Sequence, residues 1–446
     1  MKTSKFQSER VLKSQTLSAP FACKRPCSGA RHVWAEMGLA LLVVPALVFG
    51  GCSSKKADLN VESETGSSGA SEERLDSDLD GLSNREEGAF AEGGAEDSDG
   101  DGIPNFLDTD SDNDGLSDRY EGLSDHDGDG VKGFVDPVNN GDIPLLNLTS
   151  ISTDFRKPIG IDHHEPTNTV IMTTNYPEGE PFNFERIDAD GVHYPFSNMK
   201  GLKREVKIAT IPNDHISGFK KGELFVGNGE DGQIARISAD GEAVVNPWVD
   251  LPGSDNGLMR GGLIFDSTGV FGNELIAVTN KGQIWRVSAD GEPTLLVKIS
   301  GVHLEGVAVV PDLPRRYGPL AGKIITGDES LGVLYAISKE GKFEIFPVGV
   351  HIEDIDIISP QKNFFGVNYG TSRLLGAAVD NFIGLEADIL LTQEYPEKGT
   401  GLAVLRFNGN ELETKPVRIT EESAIPGQWE HVTFSRAGIA ELPPIE

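Results

Sequence analysis

From residue 143 to the C-terminus, short apolar runs alternate with clusters of Gly, Asp, Asn and Pro. Runs of this length, rich in Val, Ile and Phe and bounded by turn residues, predict β-strands rather than helices. They also repeat. Arg186-Ile-Asp-Ala-Asp-Gly-Val recurs as Arg236-Ile-Ser-Ala-Asp-Gly-Glu, Arg286-Val-Ser-Ala-Asp-Gly-Glu and Ala336-Ile-Ser-Lys-Glu-Gly-Lys, at a spacing of 50 residues. Each copy reads as a strand end followed by a tight turn tipped by Asp-Gly or Glu-Gly. A further strand is predicted before each copy, at 170–174, 223–226, 274–279 and 323–327, and the pattern continues less regularly at 364–379 and 388–408. Six more segments read as innermost strands: 159–162, 206–210, 262–266, 306–310, 354–358 and 431–434. Four strands per repeat of about 40–50 residues is the signature of a propeller blade. The expectation is a mainly β chain with a six-bladed β-propeller over 143–446, its last strand closing the ring against the first blade. Seven blades, or an array of β-sandwiches, are the alternatives.

The opposite end of the chain has one continuous apolar run, residues 37–49, preceded by Lys2, Lys5, Arg10, Lys13, Lys24, Arg25 and Arg31. That run is too short to span a bilayer and suits the core of a signal peptide. It ends in Phe49-Gly50-Gly51-Cys52, which resembles a bacterial lipoprotein processing box. The resemblance implies cleavage of 1–51, lipidation of Cys52 and a membrane anchor through that residue. Ser53 rather than Asp follows, which in such lipoproteins implies the outer membrane. Ordinary signal-peptidase cleavage or an uncleaved anchor is the alternative. Loss of Cys23 and Cys27 would leave one cysteine and no intrachain disulfide. Residues 52–75 are rich in Ser, Gly and Glu without periodicity and read as a flexible tether.

Between tether and strands, residues 76–142 have neither period. Instead they carry a ladder of acids. Asp97, Asp99 and Asp101 precede Gly102, Ile103 and Asp108; Asp110, Asp112 and Asp114 precede Gly115, Leu116 and Glu121; Asp125, Asp127 and Asp129 precede Gly130, Val131 and Asp136. An upstream copy has Asp76, Asp78, Asp80, Gly81, Leu82 and Glu87. Each loop puts carboxylates at positions 1, 3, 5 and 12, a glycine at 6 and an apolar residue at 7. Ca²⁺ wants six to eight oxygens at about 2.3–2.6 Å in flexible geometry. Three alternate acids, a sharp glycine turn, the carbonyl of residue 7 and a closing acid supply that shell. Mg²⁺ fits less well, because it demands an octahedron and dehydrates reluctantly. Successive loops begin 13 and 15 residues apart at Asp97, Asp110 and Asp125, which leaves no room for the flanking helices of an EF-hand. With Gly102-Ile103-Pro104-Asn105, the ladder resembles the thrombospondin type 3 repeat. The resemblance implies a cation-wrapped array with little regular secondary structure, here without the disulfides of the animal versions. An acidic disordered linker is the alternative. The array is expected to act as a stiff spacer.

Charge sharpens this division. The chain has a formal net charge of −31. Residues 71–142 hold 23 acids against 4 bases, a net of −19, so most of the excess lies in the array. Such a surface repels nucleic acid and anionic headgroups and attracts divalent cations.

In the propeller, polar residues stand just before several innermost strands. Arg260, His303, Glu305, His351, Glu353 and Glu430 are the candidate ligand site at one mouth of the channel, with Arg204, Glu205, Asp354, Trp429 and His431 beside them. Carboxylates converging there could hold a cation or act on a ligand; mutual salt bridges are the alternative. The repeat layout resembles six-bladed propellers broadly, including the gluconolactonase-like group, whose channel holds a divalent metal. Asp162-His163-His164-Glu165 is expected to be a loop, and His126 a solvated side chain. No nucleophile elbow, phosphate loop or dinucleotide fingerprint occurs. The partners implied are calcium ions, a membrane through Cys52, and a surface or matrix ligand for the propeller, with adhesion or binding favoured over a hydrolase or lactonase.

Overall fold

The computed structural model describes residues 75–438 apart from 139–140, 154, 175–182, 203, 213–217, 254–259, 395–398 and 421–426. The signal segment, Cys52 and the tether up to residue 74 lie outside the described residues.

The chain forms a six-bladed β-propeller of four-stranded antiparallel sheets. Blade one comprises Ile161–His164, Thr169–Thr173, Phe184–Ile187 and His193–Pro195, from the axis outward. Blade two runs Ile208–Thr210, Leu224–Gly227, Gln233–Ile237 and Val244–Asp250; blade three Gly262–Phe265, Leu275–Val278, Gln283–Val287 and Pro293–Lys298; blade four Leu304–Val309, Ile324–Asp328, Val333–Ile337 and Phe343–Pro347. All six innermost strands fall within or across the predicted segments, and they neighbour one another in a closed ring. The 50-residue repeat is the turn between the third and fourth strands. In each copy the glycine N–H donates to the carbonyl three residues back, as Gly241 does to Ser238 at 2.8 Å and Gly291 to Ser288 at 2.9 Å.

Blades five and six depart from the expected serial order. Asp354–Ile357 is the inner strand of blade five, but the chain then crosses to build the middle strands of blade six, Asn363–Asn368 and Arg373–Ala377. It returns to complete blade five with Ile389–Thr392, Leu402–Phe407 and Leu412–Pro416. Trp429–Ser435 then becomes the inner strand of blade six, and Thr149–Ser152, from the start of the propeller, its outer strand. The ring is therefore locked by both ends of the propeller chain within one sheet, and the last strand pairs with Asn363–Asn368 as well as lying beside blade one.

The core sits between blades. Successive residues of a strand face opposite sides of its sheet, so each blade feeds two interfaces. Ile389 and Leu391 pack toward blade four, while Leu390 packs toward blade six. Ile171 faces blade two, while Val170 and Met172 face blade six. Six separate apolar clusters result, one per interface. Six filled interfaces close the ring, which excludes the seven-bladed and sandwich alternatives. Among the described residues, no helix is long and apolar enough to cross a membrane.

Residues 75–138 hold no strand and only short helical turns such as Asn105–Leu107, Asp118–Glu121 and Gly133–Val135. This array does not extend away as a spacer. Its central loop lies on blades four and five, through a short helix, Pro314–Tyr317, that follows the inner strand of blade four.

Candidate functional sites

The four acidic loops share one hydrogen-bond plan. The position-1 carboxylate accepts the N–H of the position-6 glycine: Gly81 to Asp76 at 3.1 Å, Gly102 to Asp97 at 3.2 Å, Gly115 to Asp110 at 3.1 Å and Gly130 to Asp125 at 3.0 Å. Position 3 accepts the N–H of position 5, and position 5 that of position 7, in every copy. The glycines have φ of 106°, 98°, 95° and 97°, which L side chains rarely adopt. At positions 3 and 5 Oδ1 thus shapes the loop while Oδ2 is left for a ligand, except in Asp99 and Asp114, whose Oδ2 accepts from Asn113 and Arg316; at position 1 both oxygens accept backbone N–H groups. A second layer was missed by the sequence reading. Position 2 and position 9 clasp each other: Ser77 with Asn84, Ser98 with Asn105, and Ser111 with Asp118. The third loop has His126 and Gly133 there and lacks the clasp.

The acids at position 12 all reach their own loops. Glu87 meets Asp80, and Asp118 of the Asp110–Glu121 loop joins them. Asp108, Glu121 and Asp136 feel the charges of the acids in their loops. Burial, then neighbouring carboxylates, pushes Asp112 up to about 8, Glu87 to about 8 and Glu121 to about 10. Asp78 and Asp110 rise to about 6 for the same reasons. Acids so displaced are poorly matched to protein alone. Among the described residues, thirteen buried side-chain polar atoms lack a hydrogen-bond partner, and seven are oxygens of this array: Asp78 Oδ2, Asp80 Oδ2, both of Glu87, Asp112 Oδ2, Glu121 Oε2 and Asp136 Oδ2. Such groups are costly to bury unpaired. An all-oxygen donor set suits a hard cation and fits Ca²⁺. Among the position-7 residues, Leu82 and Leu116 are buried while Ile103 and Val131 are exposed.

The propeller grips the second loop. Arg315 donates to the carbonyls of Asp112 at 2.8 Å and Asp99 at 3.3 Å. Arg316 Nη1 lies 3.2 Å from Asp114 Oδ2, while its Nη2 bonds the Glu386 carbonyl and stands 4.0 Å from Asp388. Leu313 approaches so closely that a Cβ on Gly115 would collide with it. Gln361 donates to Tyr120 Oη at 2.6 Å, and Arg406, paired with Asp388, donates to the Gly141 carbonyl at 2.7 Å.

The channel has two chemically distinct halves. At the amino ends of the inner strands, Glu205, Glu305, Glu353 and Glu430 converge, all buried. Lys207, absent from the sequence reading, is their centre. Its ammonium donates to Glu353 at 2.6 Å and to the Glu430 carbonyl at 3.2 Å, with Glu205 at 3.8 Å. Burial disfavours its charge, yet the surrounding glutamates hold its pKa well above the usual range. Arg260 pairs with Glu205 and lies 3.9 Å from Glu305. His303 sits between Glu305 at 3.3 Å and Glu329 at 2.8 Å, which together raise it to about 9. Salt bridges therefore engage most of the candidate mouth residues. Glu305 is fully buried and stands at ion-pair distance from Arg260 and His303, although among the described residues neither of its carboxylate oxygens receives a donor in hydrogen-bond geometry. Gly306, at φ 67°, bulges the strand beside it, and a Cβ there would press on the backbone of Asp354. His351 is not part of the cluster. It is exposed and donates to the Glu329 carbonyl at 2.6 Å.

The carboxyl ends of the inner strands enclose an open cavity of about 580 Å³. Asp162, Asp354, Asp356, His163 and His431 line it, with Lys362 and Arg436 beyond the strand ends. Asp162-His163-His164 is strand rather than loop, and only Glu165 begins the turn. The two histidines do diverge: His163 lines the cavity, while His164 is buried against Thr167 and the Gly222 carbonyl. Ile161 N–H donates to His431 Nδ1 at 3.0 Å, so the ring proton is on Nε2, which faces Asp354 Oδ2 at 3.4 Å.

No known protein family and no curated protein matches this chain. Solved structures do. A virginiamycin B lyase from Staphylococcus aureus is 15% identical, with 62% of this chain and 89% of that one covered and a TM-score of 0.37. A gluconolactonase from Xanthomonas campestris is 13% identical, with 66% and 89% covered and a TM-score of 0.41. These likenesses concern the fold alone.

Proposed function

We propose that this chain is a calcium-binding lipoprotein of the bacterial cell envelope, held to the outer membrane through Cys52, whose propeller is a ligand-binding or adhesive head. The observation that carries the calcium reading is the set of seven buried, unpartnered carboxylate oxygens in loops of one plan. The residues that would hold the ions are the acids at positions 1, 3, 5 and 12 and the carbonyls at position 7. Extracellular sites of this type bind with Kd of about 10⁻⁴–10⁻³ M, so millimolar calcium outside the cell would largely fill them. The role is then structural. The anchor is supported by the apolar run 37–49 and the glycines before Cys52.

Asp112→Ala is the direct test. Asp112 is buried, and its Oδ1 receives the Asp114 N–H at 3.0 Å. The variant should bind fewer calcium ions per chain by calorimetric titration and be cut faster by protease between residues 97 and 136. An unchanged stoichiometry would count against the assignment.

A second reading is favoured by one feature, the grouping of His303, Glu305 and Glu329, whose potential ligand atoms lie within 4.8 Å of one another. There the propeller is a hydrolase or lactonase with a divalent ion at the channel, where such an ion would polarise a carbonyl. Glu305→Gln separates the two. In a binding head it removes a counter-charge of His303 and Arg260 and should destabilise the chain by roughly 1–3 kcal/mol, lower the His303 pKa from about 9 and leave metal content unchanged. In the enzyme it should cost one bound ion per chain.

A further inference from the structure

We infer that the open half of the channel, at the carboxyl ends of the inner strands, binds a small aliphatic ammonium compound carrying an anionic end, the chemistry of an amino acid. The inference rests on the propeller being a binding head.

The charge in the cavity is one-sided. Asp354, Asp356, His431 and Asp162 all come from blades five, six and one, whereas blades two, three and four contribute no charged group among the described residues and present Ile208, Ile264 and Val307. One wall can hold a cation while the other covers an alkyl chain. Asp162 is already saturated. It accepts Thr210 N–H at 2.6 Å, Thr210 Oγ1 at 3.1 Å, His163 N–H at 2.7 Å and Thr433 Oγ1 at 3.3 Å. Asp354 and Asp356 are not. Asp354 is 4% exposed and Asp356 only partly exposed; Asp354 accepts Val432 N–H at 2.8 Å and Asp356 accepts Ile357 N–H at 2.8 Å. Beyond the weak approach of His431 to Asp354, neither has a side-chain donor among the described residues. Burial pushes Asp354 up to about 7 and Asp356 to about 8, and the ammonium groups of Lys207 and Lys362, neither of them bonded to these carboxyls, offset this only in part. An ammonium group has three donors and matches two such acceptors side by side.

The outer end has the opposite character. Lys362 makes no hydrogen bond or ion pair among the described residues, and Arg436 reaches only Gln361, at 3.4 Å. Both lie past the strand ends, so an anionic group on the ligand would meet them as its ammonium enters. Glu165 shares this rim and disfavours a purely anionic ligand. A free divalent metal would leave the apolar wall and Lys362 unused.

The test uses the full chain in calcium buffer with three probes of one length: ε-aminocaproate, hexylamine and caproate. Calorimetric titration should rank ε-aminocaproate above hexylamine and detect no binding of caproate. Asp356→Asn should weaken both amines by about tenfold or more, about 1.4 kcal/mol or more. Lys362→Gln should reduce ε-aminocaproate to the level of hexylamine and leave hexylamine unchanged. Melting curves establish that each variant is folded. Absence of amine binding to a calcium-loaded chain, or caproate binding as well as the amines, overturns the inference. Calcium content measured on the same sample keeps it separate from the array: a chain that binds no calcium refutes the array assignment, whatever the amines do.

Discussion

Chelating calcium from the purified chain is expected to lower its stability by roughly 5 kcal/mol and to enlarge its dimensions in small-angle scattering. The energy follows from mass action. A site filled at about ten times its Kd stabilises the folded state by about 1.4 kcal/mol, and there are four loops of one plan. The direction follows from the carboxylates. Without cations, Asp112, Glu87 and Glu121 are buried beside other acids, with oxygens that no group among the described residues satisfies. They would either take up protons or expose themselves to water, and exposure opens the array. The dimensions follow from the docked position of the second loop. If it loosens, its clasp by Arg315 and Arg316 is weakened, and residues 75–138 can swing away from blades four and five. Equal melting temperatures and equal radii of gyration in EGTA and in calcium would refute the calcium reading.

The array was legible in the sequence because its information is local. All the acids of a loop lie within twelve residues, and the glycine at position 6 is demanded by a positive φ. The inner strands were legible for a similar reason, since turn residues bracket each apolar run. Partner choice was not. The strands Asn363–Asn368, Ile389–Thr392 and Leu402–Phe407 are almost uniformly apolar, because each is buried on both faces. Their composition cannot say which belongs to blade five and which to blade six. Lys207 was hidden for another reason. Its counter-charges, Glu353 and Glu205, come from blades five and two, and only the closed ring brings 207 and 353 together. A lone lysine inside the apolar run 206–210 was the available signal. The open cavity was hidden similarly: Asp354 groups by sequence with the opposite mouth, Asp162 reads as loop and Asp356 is not singled out, yet Asp354 and Asp356 sit two apart on one strand face and Asp162 nears them only once the ring closes. Arg315 and Arg316 look like ordinary surface bases; their acceptors lie about 200 residues upstream, as in the separation of 202 between Arg316 and Asp114.

Arg316→Leu should be the most damaging single change at the junction of array and propeller, at about 3–5 kcal/mol. The Arg316 side chain is only 9% exposed and serves two acids from different parts of the chain, Asp114 of the second loop and Asp388 of blade five. Leucine keeps most of the volume, so the loss is electrostatic rather than a cavity. It leaves Asp114, fully buried, without its cation, and leaves Asp388 to Arg406 alone. Breaking one side of a buried pair is costly because the abandoned charge stays desolvated. The effect should persist in saturating calcium, since Arg316 engages Asp114 Oδ2 from outside the loop while Leu116 N–H holds Oδ1. Limited proteolysis in calcium should therefore cut the variant between 97 and 136 while the propeller stays intact. Arg315→Leu, which loses only bonds to the carbonyls of Asp112 and Asp99, should cost less, about 1–2 kcal/mol. If Arg316→Leu melted with the parent chain and resisted protease equally, the contact between the second loop and blades four and five would not hold the array in place, and the calcium loops would act independently of the propeller.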